Sequence, residues 1–132
     1  METLFQYAYT SCIRPEISLT RVNEIVQVSR RNNRLAGITG ILVFDGWRFF
    51  QYLEGPEDAV RRLVDKLRLD PRHNNYVELL SSPFAGPRRF HKWSMGYSVS
   101  ADENLLETFT NLNASELIQN MPDLVANIDF EP

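Results

Sequence analysis

The feature that most constrains this chain is the dipeptide Asp45-Gly46, set between the apolar run Ile38-Thr39-Gly40-Ile41-Leu42-Val43-Phe44 and the run Arg48-Phe49-Phe50-Gln51-Tyr52-Leu53-Glu54-Gly55. Asp-Gly supplies the positive φ that a tight hairpin needs, so the two runs are predicted to be antiparallel neighbours. Gly55-Pro56 ends the second run, and Pro56 fits a helix start. Successive residues of a strand point to opposite faces, which puts Phe49, Gln51 and Leu53 on one face. Gln51 is then a primary amide between two large apolar neighbours. Left unpartnered and buried it costs roughly 1–3 kcal/mol, so it must be hydrogen-bonded. An amide carries two donors and an acceptor that a rotation exchanges, which suits recognition or a switch.

The pattern on either side of the hairpin repeats a strand–helix logic. Leu4 to Ser11 reads as a first strand with Phe5, Tyr7 and Tyr9 on one face. The connection from Cys12 to Ile17 contains Pro15 and is expected to be irregular. Ser18 suits an N-cap, and Leu19, Val22, Ile25, Val26 and Ser29 then recur on one helical face to about Leu35. Asn32 and Asn33 fall in the last turns, and Gly37 suits a left-handed stop. A second helix is predicted over about 57–69, with Val60, Leu63, Val64 and Leu67 as its buried stripe and Lys66 four residues before Asp70. Asp70-Pro71-Arg72-His73 closes it. Strands are predicted over 76–82 and 93–100, the latter with Trp93 and Met95 on a shared face. Beyond Ala101 the pattern is polar and helical, with weak amphipathic segments at about 105–112 and 115–128. The order implies an α+β fold of ferredoxin-like type, β-α-β-β-α-β-β, with a five-stranded mixed sheet and two helices on one face. Residues 1–100 are expected to form the domain and 101–132 a C-terminal helical extension.

Composition narrows the function classes. At 132 residues, 43% apolar and 23% charged, the chain suits one globular domain with a real core. A formal charge of −3 argues against a general nucleic-acid binder. The local basic patch Arg88-Arg89 with His91-Lys92 reads as a solvated connection. No targeting peptide or membrane-spanning apolar run is apparent. Cys12 is the only cysteine, so no intrachain disulfide forms, the thiol reads as passive, and a cytoplasmic location is expected.

Familiar catalytic sets are missing: there is no nucleophile elbow, P-loop or zinc-ligand spacing. His73 and His91 are scattered, and Asp70 with His73 reads as a helix-end ion pair before an acid–base pair. An acylphosphatase-like hydrolase built on Arg14 and Asn33 would need a glycine-rich anion loop after the first strand, which is absent. An RNA-binding module stacking bases on Phe49, Phe50 and Tyr52 lacks the expected Gly-Phe-Gly-Phe pattern and the basic balance.

Three amides remain. Asn32-Asn33 alone suits a polar helix end. With Gln51 and Phe49 the pair resembles a slot for a flat heterocycle, apolar in its walls with a few polar groups that fix orientation. Tyr9 alone suits the core. If the first and third strands are adjacent, its phenol meets Gln51, and a phenol donates an electron and a proton that an amide can relay.

Taken in order, Tyr7-Ala8-Tyr9-Thr10-Ser11, Arg31-Asn32-Asn33 with Gly37-Ile38-Thr39-Gly40-Ile41-Leu42, Phe50-Gln51-Tyr52-Leu53-Glu54-Gly55, Asp70-Pro71-Arg72-His73, and Arg89-Phe90 leading into Trp93-Ser94-Met95 resemble the BLUF family of flavin-using blue-light sensors. The resemblance covers roughly 4–99. It implies a noncovalent flavin, FAD by choice with FMN or riboflavin as alternatives, and a photoreceptor rather than an enzyme. By this resemblance Tyr9, two residues before Ser11, is the photoactive tyrosine ahead of Tyr7, and Gln51 is the switching glutamine. Asn33 is expected on the flavin O4/N3 edge, with Asn32 near the ring or its O2 side and Lys66 near O2. Asp70 and His73 are expected towards the ribityl and phosphate end, and Ile25 and Phe49 as apolar contacts. Trp93 and Met95 are the variable pair of the fifth strand. The implied events are electron and proton transfer from Tyr9 through Gln51, recombination, and a rearranged hydrogen bond to flavin O4. With no cyclase or phosphodiesterase domain in the sequence, the chain is expected to signal in trans to an effector protein, as a homo-oligomer, without nucleic-acid or membrane partners.

Overall fold

The structure, a computed structural model, describes residues 3–85, 87–100, 102–126 and 128–131. Its elements run β1 (Thr3–Ile13), α1 (Leu19–Ala36), β2 (Thr39–Phe44), β3 (Arg48–Gly55), α2 (Glu57–Leu69), β4 (His73–Ala85), β5 (Gly96–Val99), α3 (Glu103–Thr110) and α4 (Ala114–Val125). This is the expected ferredoxin-like order with a helical tail. The sheet order is β4-β1-β3-β2-β5. The inner pairs are antiparallel and β5 lies parallel to β2, which makes the sheet mixed.

Local chemistry accounts for the turns. Asp45 Oδ1 accepts the backbone N–H of Trp47 at 3.0 Å and of Arg48 at 2.6 Å, while Gly46 takes φ +94°. Ser18 Oγ accepts the Arg21 N–H and starts α1, and Gly37 at φ +73° ends it. α2 begins after Pro56 without a side-chain cap, but Glu57 and Asp58 sit in its first turn and Lys66 and Arg68 in its last, each the sign the helix dipole favours. Gly40 is required sterically, since a Cβ there would lie 2.0 Å from the Tyr52 carbonyl oxygen.

Both faces of the sheet are covered. On one face α1 packs through Val22 and Val26 against Ile13, Leu42, Phe44, Met95 and Tyr97. On the same face α2 packs through Ala59, Val60 and Val64 against Phe5, Tyr7, Tyr9, Ile38 and Leu53. The opposite face carries Ala8, Ile41, Val43, Phe50, Tyr52 and Leu80 under Leu106, Phe109, Leu117 and Met121 of the tail helices. Phe50 and Phe109 stack with ring centres 4.0 Å apart.

Four expectations change. β4 is longer than 76–82 and pairs along nearly all of β1, with irregularities between Ala8 and Tyr9 and between Thr10 and Cys12. β5 is shorter than 93–100, holding only four residues. Trp93 and Met95 therefore do not share a strand face. Met95 sits in the α1 cluster while Trp93 packs on the tail side against Phe90 and Phe130. Period-two alternation does not apply, because the chain there is crossing from one face of the sheet to the other. Leu19, assigned to the buried helical face, is exposed in the first turn of α1.

Candidate functional site

The two helices on one face form separate clusters, and an apolar cleft lies between them over the middle of the sheet. Its floor is Tyr9, Leu42, Phe49 and Gln51; Ile25 and Ser29 of α1, Leu67 of α2 and Met95 form the walls. A second space shares Ile25, Ser29, Leu67, Asp70 and Arg72 with it and opens outward between α1 and α2. There the lining turns polar, with Arg21, Glu24, Asn32 and Lys66. The arrangement is one cleft, apolar at the sheet and charged at its mouth.

β1 and β3 are adjacent, and their register sets Tyr9 directly opposite Gln51. Both side chains are buried, and the Tyr9 hydroxyl donates to Gln51 Oε1 at 2.6 Å. Burial, followed by the neighbouring charges of Tyr7 and Asp70, holds the Tyr9 phenol far above its usual pKa, so it is protonated across the ordinary pH range. Among the described residues the Gln51 amide makes no other side-chain hydrogen bond, which leaves Nε2 as an open donor in the cleft. Tyr9 also stacks on Tyr76 with ring centres 4.6 Å apart. The Tyr7 hydroxyl pairs instead with that of Tyr76 at 2.6 Å, away from Gln51.

His73 lines the cleft, with Ser11 bonded to its ring. His73 Nε2 donates to the Leu67 carbonyl, so in the neutral ring Nδ1 accepts from Ser11 Oγ, at 2.8 Å. The expected Asp70–His73 ion pair is replaced by Asp70–Arg72, with Arg72 giving its guanidinium and its backbone N–H to the carboxylate. Burial raises the Asp70 carboxyl, but these hydrogen bonds outweigh it and leave the group below its usual range.

Asn33 is buried at the end of α1 and donates Nδ2 to the Ser94 carbonyl at 2.9 Å. Among the described residues no donor is paired with its Oδ1. Asn32 and Lys66 are exposed at the mouth. Thus Tyr9, Ile25, Phe49, Gln51, Asp70, His73 and Met95 line the inner cleft, Asn32 and Lys66 its mouth, Ser11 its histidine and Asn33 the loop beside Met95; Trp93 lies on the far face.

Several contributors had no sequence signal strong enough to mark them. Tyr76 reaches Tyr9 only through the β1–β4 pairing, and Ile13, Ile17 and Leu42 line the cleft as ordinary apolar residues. Arg30 donates to the Met95 carbonyl at 3.0 Å and to the Glu131 carbonyl at 2.7 Å. Arg30 and Asn33 lie three residues apart on one helix, a spacing that puts both on the same side of it.

The residues lining the cleft fit a flat, partly polar ring: apolar walls, an open amide donor from Gln51, and cationic groups at the mouth. Comparison with known proteins agrees. A family model described as BLUF, sensors of blue light using FAD, matches residues 4–96. Over 87 residues the chain is 44% identical to the blue light- and temperature-regulated antirepressor BluF of Escherichia coli (strain K12), which covers 66% of this chain and 21% of that protein. The chain therefore spans about a fifth of the length of that curated relative. Among solved structures, the dark state of the BLUF protein BlrB matches with TM-score 0.78 at 31% identity, over 96% of this chain and 97% of that one. BlsA in its photo-activated state matches with TM-score 0.79 at 27% identity, over 98% and 99%.

Proposed function

The chain belongs to the BLUF family, sensors of blue light using FAD, and on that premise we propose that its cleft holds the flavin ring noncovalently while Tyr9 and Gln51 carry a reversible light reaction. FAD, when bound, absorbs blue light and in its excited form draws an electron from a nearby phenol. Everything else falls to the chain. Ile25, Phe49 and Met95 exclude water, Asn33 Oδ1 and Gln51 Nε2 meet the polar edge of the ring, and Asn32, Lys66, Arg72, Asp70 and His73 face its tail.

The observation that carries this reading is the 2.6 Å hydrogen bond from the Tyr9 hydroxyl to Gln51 Oε1 in an apolar cleft. With its pKa held high, Tyr9 cannot ionise first. An oxidised phenol is a much stronger acid than a phenol, so its proton leaves along the bond already made, to Gln51 Oε1. The amide can in turn give a proton from its nitrogen side to the polar edge of the ring it would face, where the electron from Tyr9 would have gone. When electron and proton return to Tyr9, nothing has been consumed, but Gln51 is left rotated or tautomerised, with donor and acceptor exchanged. The product is a changed hydrogen bond, which suits a sensor and not a turnover enzyme.

The signal leaves through Met95 and the segment before β5 to the tail helices and thence to a protein partner in trans. The name antirepressor carried by the E. coli relative supports action on a protein. A cytoplasmic, homo-oligomeric protein fits this reading; among the described residues no helix is long and apolar enough to cross a membrane. The test is an absorption spectrum before and after blue light. Protein loaded with FAD is expected to be yellow and to show a red shift that decays in the dark. Protein that takes up no FAD, FMN or riboflavin, or that shows no shift when loaded, removes the reading.

A further inference from the structure

Glu54 is fully buried at the end of β3, on the face opposite the cleft, three residues after Gln51. A buried carboxylate is unfavourable unless its oxygens are bonded. Here both are used by consecutive backbone groups: the Arg89 N–H donates to Oε2 at 3.1 Å and the Phe90 N–H to Oε1 at 2.8 Å. The Tyr52 hydroxyl lies 3.1 Å from Oε2 and an equal 3.1 Å from Gln6 Oε1, and accepts from Arg89 Nε at 3.2 Å. A carboxylate can receive both backbone groups at once, whereas an amide would turn a donor towards one of them.

Those backbone groups begin a strap that crosses the sheet. Phe90 and Trp93 pack with the tail helices on one face, and Met95 enters the cleft on the other. At its far end the strap is held by three carbonyls: Trp93 accepts from the Gly40 N–H at 3.1 Å, Ser94 from Asn33 Nδ2 and Met95 from Arg30. One end thus reaches the cleft through Met95 and is tied to α1 by Asn33 and Arg30, and the other is fixed to the strand that carries Gln51.

We propose that Glu54 is a positioning residue, the fixed anchor of the 89–95 strap, which makes a displacement at Met95 and Ser94 appear at Trp93 and α4 instead of being absorbed by the loop. The proposal rests on the blue-light reading above. It places Glu54 outside the light reaction itself and inside its transmission.

The experiment uses the full chain loaded with FAD, in wild-type form and as Glu54→Gln and Glu54→Ala. Three readouts are taken in dark and light: the flavin red shift, hydrogen exchange over 117–125, and Trp93 fluorescence in a Trp47→Phe background. Trp47 is exposed in the hairpin turn and serves no part of the strap. Wild type is expected to show the red shift and a light-dependent change at α4 and Trp93. Both variants are expected to keep the red shift, with the α4 and Trp93 response reduced in Glu54→Gln and lost in Glu54→Ala. If Glu54→Ala does not fold, Glu54→Gln alone decides. A full α4 response in the variants overturns the proposal, as does loss of the red shift in Glu54→Gln, because the residue would then shape the cleft. A wild type with the red shift but no response at α4 overturns it too. A wild type without the red shift instead removes the blue-light reading beneath it.

Discussion

At the scale of single residues, the structure separates two tyrosines that lie on the same strand face. Tyr9 faces Gln51; Tyr7 faces Tyr76. Tyr9→Phe keeps the ring and its stack on Tyr76 while removing the donor, so flavin uptake is expected to persist and the red shift to vanish. Gln51→Leu conserves volume roughly and removes the relay, with the same expected loss and little loss of fold. Tyr7→Phe gives up one hydroxyl pair, worth about 0.5–1.5 kcal/mol, and is expected to photoconvert. Absorption spectra of the three variants check this, and normal photoconversion of Tyr9→Phe would refute the assignment. Asn33→Ala removes the tie to Ser94 and, on the proposed reading, an acceptor for the ring, and is expected to weaken flavin binding about tenfold, since one buried hydrogen bond costs roughly 1–3 kcal/mol. An unchanged Kd by titration would reduce Asn33 to a loop anchor. The sequence placed Gln51 on its face by alternation alone. It left Tyr7 and Tyr9 equivalent by that rule, because both alternate onto the same side and only strand register picks the one opposite Gln51.

At the scale of elements, the hairpin and the two long helices follow local rules. Their caps, turn residues and periodic stripes act within a few residues of where they are read. Gly40 illustrates a different constraint. It lies in a strand where alanine has no backbone objection, yet a Cβ would strike the Tyr52 carbonyl. Gly40→Ala is expected to push β2 off β3, and overpacking of this kind typically costs about 1–3 kcal/mol. Chemical denaturation measures it, and an unchanged midpoint would show that the strands have room to part. On the opposite face, Phe109 is fully buried on Phe50. Phe109→Ala is expected to cost about 3–5 kcal/mol and to raise hydrogen exchange across α3 and α4 together. Exchange unchanged in α4 would show that the tail helices dock independently. Residues 93–95 are strand-like in composition, while their path before β5 is set by Asn33 and Arg30, which are distant in sequence.

At the scale of the whole molecule, five tyrosines have phenol pKa values raised, each chiefly by burial: Tyr7, Tyr9, Tyr52, Tyr76 and Tyr97. In the unfolded chain a phenol titrates near about 10. Above that pH the unfolded state releases protons that the folded state keeps, so it binds fewer and stability falls as pH rises. The contribution is fully present below about pH 10 and is lost as pH climbs towards the raised folded values. Thermal melts between neutral and strongly alkaline pH are expected to show a falling Tm, with tyrosinate absorption appearing only as the protein unfolds. Tyrosinate formed near the ordinary phenol range in a folded protein would show that these hydroxyls reach water. Asp70 works in the opposite sense at the acid end. Its lowered pKa contributes stability above the unfolded carboxylate range that is lost as pH falls through the folded value.

By itself the sequence determined the order of elements, the hairpin, the caps, the amide buried on β3 and, through the motifs spread from Tyr7 to Met95, the family. These depend on local geometry, where a period of two or 3.6 residues, a positive φ or a cap chemistry acts within a turn. Only the tertiary structure showed Tyr9 in contact with Gln51, parted Met95 and Trp93 to opposite faces, and brought the Glu54 carboxylate to the Arg89 and Phe90 amides. Each of those depends on strand register or on a side chain bonding to backbone 30 or more residues away, as Glu54 does with Phe90 at a separation of 36. No local periodicity encodes such a contact, because its partner is chosen by how the sheet assembles and not by the residues beside it.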